Sequence, residues 1–161
     1  MLSNFKAGLM DKTTHKHYIN LLLEEQNVLL PIESMTMVLA FAALQKIPSS
    51  DIAFQGILNF HGKSLPVYDL LMLIDEKKQI NITSDTQLLM SVVDSKEIGL
   101  IVSEAKELVA IETTSMQAPP LDAMPYVKFI YETQDTVAWG LDLVALTTFR
   151  RLQLYSEKCD G

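Results

Sequence analysis

The chain has 161 residues, 48% of them hydrophobic and 20% charged, with a net charge of −7 at pH 7. That length fits one domain or two small lobes packed together, and the composition is globular rather than disordered. The negative balance excludes nucleic acid as a general partner, because phosphate binding needs a basic face, and it opposes adsorption to anionic lipid. The only cysteine, Cys159, rules out a disulfide framework within one chain and fits a reducing cytoplasm. The opening MLSNFKAGLMDK has no apolar core of signal-peptide length. The longest apolar run, Val38–Leu44, is far too short to span a bilayer. The expectation is a cytoplasmic protein with no membrane insertion.

In chain order, residues 1–16 are mixed and weakly patterned and read as a flexible N-terminal tail, leaving 17–161 as a single domain. His17–Glu25 reads as a strand and Glu25-Gln26-Asn27 as a turn. Val28–Leu39 reads as a second strand, with Ser34 and Thr36 alternating against Met35 and Met37. Phe54–Phe60 and Ser64–Leu70 form two arms around His61-Gly62, a hairpin signal. Pro66 confines the second arm to an edge strand or a bulge, since proline cannot donate to a ladder. Leu70–Ile74 has room for one helical turn. The polar run Glu76–Asp85 is expected to be a mobile loop or the boundary between lobes.

A second set of strands follows at Gln87–Val93, Ile98–Val102 and Lys106–Ile111, with a bulge-prone passage at Ser103–Ala105. Met116–Pro125 holds three of the six prolines and is expected to be an extended loop. Tyr126–Tyr131 and Val137–Leu141 are the last strands. The period then changes. Leu141, Val144, Ala145, Thr148, Leu152 and Tyr155 recur at helical spacing, with Asp142 as the N-cap and Arg150 and Arg151 placed for a helix C-terminus. The whole is an all-β chain with a C-terminal helix; periodicity alone leaves one sandwich and two barrels both open.

The segment from Ile47 to Leu70, IPSSDIAFQGILNFHGKSLPVYDL, resembles the signature of the CheW family of bacterial chemotaxis adaptors. That signature reads as a Pro, a spacer, Gly-x-x-Asn-x-Arg-Gly, a short spacer and Pro-x-x-Asp-Leu. Pro48, Gly56, Asn59, Gly62, Pro66, Asp69 and Leu70 fall at those positions, and His61 stands where the family usually has Arg. The resemblance extends from about Tyr18 to Leu152. In Gly99–Ala105, Ser103 replaces the family's usual Asp, and Leu141-Asp142-Leu143 fits the last strand entering a helix. The resemblance implies two small five-stranded β-barrel lobes packed side by side. It also implies a non-catalytic adaptor with no cofactor, which couples the cytoplasmic tip of a methyl-accepting chemoreceptor to the regulatory domain of a CheA-type histidine kinase. One barrel would meet the kinase, and the groove between barrels would take the receptor's helical tip. A variant reading places the adaptor in a chemosensory system for pilus-driven twitching.

The residues expected to bind or shape partner contacts are Met35, Met37, Gly56, Asn59, His61 and Gly62. For His61 the alternatives are a partner contact and a solvated turn residue. Histidine in place of arginine removes a fixed fork of donors and a permanent charge. Met35 and Met37 either face the core as a period-two pair or present an adaptable apolar face to a partner. The pair His15 and His17 could share a strand face, but no third metal ligand lies nearby in sequence, so no metal site is expected. His61 with Asp69, Asp142 or Glu33 would make an acid–base set for a hydrolytic or small-molecule-binding barrel only if a pocket assembled it. No serine or cysteine has a nucleophile-elbow context, and the glycines form neither a phosphate loop nor a dinucleotide fingerprint.

Overall fold

A computed structural model describes residues 15–150. Its strands are β1 (His15–Leu23), β2 (Gln26–Pro31), β3 (Met35–Ala40), β4 (Phe54–Phe60), β5 (Lys63–Asp69), β6 (Gln87–Val93), β7 (Lys96–Val102), β8 (Glu104–Glu112), β9 (Val127–Glu132) and β10 (Val137–Leu141). A short helix, α1 (Leu70–Ile74), follows β5, and a second, α2 (143–150), follows β10. Two five-stranded sheets lie side by side, in the orders β8-β1-β2-β10-β9 and β3-β6-β7-β5-β4. Each has one parallel pair, β2 with β10 and β5 with β7, and is otherwise antiparallel. Single bridges, Gln45 to Ile57 and Gln117 to Ile130, carry the chain beyond β3 and β8 onto the opposite edge strands β4 and β9. These bridges curl each sheet toward a small barrel, which leaves less exposed edge.

The chain starts in the first sheet, makes all of the second, and returns. The outward crossing lies inside what periodicity reads as one strand, Val28–Leu39. Pro31 ends β2, Ile32–Ser34 turn as a short 3-10 helix, and β3 joins the other sheet. Pro31 has no N–H to offer a continuing ladder, which favours ending the strand there. The return crossing is at Ser103, between β7 and β8, where Ser103 N donates to Leu22 O. The polar run expected as a mobile loop or lobe boundary connects α1 to β6 of the second lobe and is tied down at Ile80 by Asp69 and at Asn81 by Glu24 of the first lobe. His15 and Lys16, expected in the tail, belong to β1; the rest of that tail lies outside the described residues.

One core serves both lobes. Ile19, Leu21, Val28 and Leu30 of the first sheet join Val67, Leu88, Leu100 and Ile101 of the second, with Leu143 and Leu146 of α2. A smaller cluster, Tyr18, Leu29, Ile111, Phe129 and Ala138, fills the first lobe. Successive residues of β2 therefore point into different cores, which is why Val28-Leu29-Leu30 reads as an unbroken apolar run. Asp142 caps α2 as expected, its Oδ1 accepting from Ala145 N at 3.1 Å; the expected extension of this helix to Tyr155 lies outside the described residues.

Candidate partner-binding surface

The β4–β5 hairpin turns through His61 at φ 50° and Gly62 at φ 79°. Positive φ at both central residues marks the two-residue turn whose twist matches a hairpin. Glycine takes this conformation freely and histidine less so. His61 is exposed and sets its ring edge-on to Phe60, with centroids 4.2 Å apart. Asn59 is exposed opposite Ser64. At the next residue, Lys63 pairs with Glu97 at 3.3 Å.

Gly56 is buried at φ +145°, inside a β4 bulge. A Cβ there would sit 2.8 Å from Gln45 O and 2.9 Å from Leu44 Cβ. Gly56 thus permits the close approach at which the Gln45–Ile57 bridge forms. Pro66 is not on an edge: β5 lies between β4 and β7. Pairing to β7 begins at Val67, one residue later, so that ladder does not call on Pro66 for a donor.

Met35 and Met37 lie on β3, at the other end of the same sheet. A register shift between them breaks the alternation that would have turned both the same way. Met35 packs against the shared core, whereas Met37 is 41% exposed. The fold therefore gathers Gly56, Asn59, His61 and Gly62 on one hairpin and places the two methionines on the strand whose extension bridges to it.

A cleft of about 380 Å³ runs between the lobes, lined in part by Tyr18, Pro31, Ser34, Val92, Phe129 and Val144. Val92 and Val144 are exposed apolar residues. Ser34 lines the cleft, but Met35 and Met37 do not. Sequence reasoning missed these residues because they come from five separate stretches.

The acids that might have partnered His61 are employed elsewhere. Asp69 is buried, with Oδ1 accepting from Met72 N at 3.1 Å and Oδ2 from Ile80 N at 2.8 Å. Burial pushes its carboxyl above the usual range, opposed by those backbone donors. Asp142 caps α2 and faces Lys128 at 3.7 Å, and Glu33 sits in the 3-10 turn. Among the described residues no carboxylate ion-pairs with His61, and it lines none of the four best-formed cavities. His15 faces Glu112 at 3.3 Å, and no metal-binding cluster occurs among the described residues. No described helix is long and apolar enough to cross a membrane.

Paired small barrels with a shared core, an exposed hairpin and an interlobe cleft are the architecture of a scaffold that works through its surfaces. The chain belongs to the CheW-like domain family, whose model matches residues 17–150. It is similar to the crystal structure of the scaffolding protein TtCheW from Thermoanaerobacter tengcongensis, with a TM-score of 0.74 and 25% identity over 81% of this chain and 86% of that one. No curated protein matches the chain. The family is one of non-catalytic scaffolds, and the fold supports a chemotaxis adaptor role.

Proposed function

We propose that this protein couples chemoreceptors to a CheA-type histidine kinase in the cytoplasm, as a binding partner of both and without chemistry of its own. The observation that carries the reading is the exposed His61-Gly62 hairpin within a CheW-like domain. Asn59 and His61 on that hairpin, with Met37 on β3, form the partner-facing side chains. Gly56 and Gly62 shape the backbone that presents them, and Met35 anchors β3 to the core. The interlobe cleft is open and mixed in lining, with Lys16, Lys128 and Asp142 beside apolar Phe129, Val92 and Val144, which suits the side of an amphipathic helix, and it is assigned to the receptor tip. The kinase regulatory domain meets the lobe built from β3 to β7. The test is affinity capture from the source organism followed by mass spectrometry. Recovery of a receptor and a histidine kinase supports the reading; recovery of neither, with the protein folded, counts against it.

A further inference from the structure

α2 is carried by β10 of the first lobe, yet its far end is fastened to the second. Arg150 Nη2 donates to Asp51 Oδ1 at 2.8 Å, and Nη1 donates to Glu76 Oε1 at 2.6 Å. The Arg150 and Asp51 side chains are only 10% and 4% exposed. Asp51 is the root of the hairpin. Its Oδ1 also accepts from Ala53 N at 2.9 Å, and its carbonyl accepts from Phe54 N, the first residue of β4, at 3.1 Å. Ala53 O in turn accepts from Asp69 N, at the end of β5, at 2.9 Å. A second tie runs beside the first: Tyr126, whose ring packs against Phe149 of α2, donates its hydroxyl to Ile74 O at 3.3 Å.

An ion pair this buried is a poor device for stability alone, since apolar residues of like size often serve as well. It does fix a direction and a partner, because the guanidinium fork accepts carboxylates in few geometries. We propose that Arg150 is a positioning residue for the partner-facing hairpin. It ties the first lobe, through α2, to the point from which β4 springs. A shift of the lobes about the cleft is then transmitted to the strand pair carrying Asn59, His61 and Gly62. The consequence for partners rests on the adaptor reading above; the mechanical tie does not.

The test uses the full chain with Arg150→Met and Asp51→Asn combined, so that neither charge is left buried without the other and Asn can still accept from Ala53 N. Amide hydrogen exchange is read residue by residue. The latch predicts that the Gln45 and Ile57 amides, which close the barrel beside Gly56, exchange at least about tenfold faster, while amides of β1 and β2 change by less than about twofold. No change at Gln45 and Ile57, or an equal rise throughout, overturns it, the second because it marks general loss of stability. A functional arm measures the affinity of the kinase regulatory domain with and without a saturating receptor-tip fragment. The ratio of the two affinities should move toward one by at least about threefold in the variant. An unchanged ratio contradicts transmission to the hairpin. If neither fragment binds the unaltered protein, the adaptor reading fails, and the exchange arm alone decides the latch.

Discussion

Gly56 and His61 show how differently two positive-φ residues of one hairpin can be constrained. At Gly56 both the backbone angle and the space exclude a side chain, with Gln45 O and Leu44 Cβ inside 3 Å of any Cβ. Gly56→Asp therefore loses at least about 2 kcal/mol from strain and displaced neighbours, measurable as a lower urea midpoint; an unchanged midpoint contradicts the assigned close approach. At His61 the side chain is exposed, touching the Phe60 ring edge-on, and the backbone angle is the tighter constraint. His61→Ala stays within about 0.5 kcal/mol of the parent stability, whereas His61→Val costs about 1 kcal/mol more, because a branched Cβ suits left-handed backbone poorly. In binding, His61→Arg restores the charge common in the family and strengthens attachment to a receptor tip with an acidic residue opposite. Titration calorimetry that finds Arg, His and Ala equal at this position removes the turn from the contact surface. Asp69 carries a pH signature. Its folded-state carboxyl titrates above its unfolded value, so the folded state holds that proton more tightly. Its contribution is greatest below the unfolded pKa of about 3.9 and declines as pH rises through the raised folded value. Relative to Asp69→Asn, the parent protein should lose unfolding free energy as pH rises from that unfolded value; parallel stability curves contradict the shift.

The short strands and the hairpin are legible in the sequence because both signals are local: short apolar runs bounded by polar turns for β6 and β10, a glycine turn between apolar arms for β4 and β5. The crossings between lobes are not. Reading Val28–Leu39 as one strand conceals a change of sheet, because the Val28–Leu30 run of β2 is buried on both sides and so shows no alternation to lose. Pro31 was the available sign. Pro66 misled in the opposite sense, since a strand can be central while the partner that would need one donor begins a residue later. The C-terminal helix was readable from its cap and spacing. Arg150 was read only as a charge at a helix end, because its partners lie 99 and 74 residues away in sequence. The packing of α2 makes it part of the shared core. Leu146, fully buried, gives the element-scale prediction: Leu146→Ala lowers stability by about 2 to 5 kcal/mol. Denaturant unfolding should remain one cooperative transition at a lower midpoint. A loss below about 0.5 kcal/mol would mean that α2 lies on the protein rather than in it.

At the scale of the molecule, one core under two lobes means that the hairpin and the cleft are separate faces of one continuously packed scaffold. The hairpin lies on the second lobe and the cleft between the two, so a partner at one leaves the other open. That separation is what an adaptor between two proteins requires. It also decides what the sequence could reveal. The hairpin is a continuous segment and can be recognised as a motif, whereas the cleft gathers Tyr18, Pro31, Val92, Phe129 and Val144 only after both crossings are made. The most direct test is sedimentation velocity of this protein mixed with a CheA-type regulatory domain and a receptor-tip fragment, separately and together. A ternary complex that sediments faster than either binary one is expected. Competition of the two fragments for a single site, or binding of neither, would contradict it.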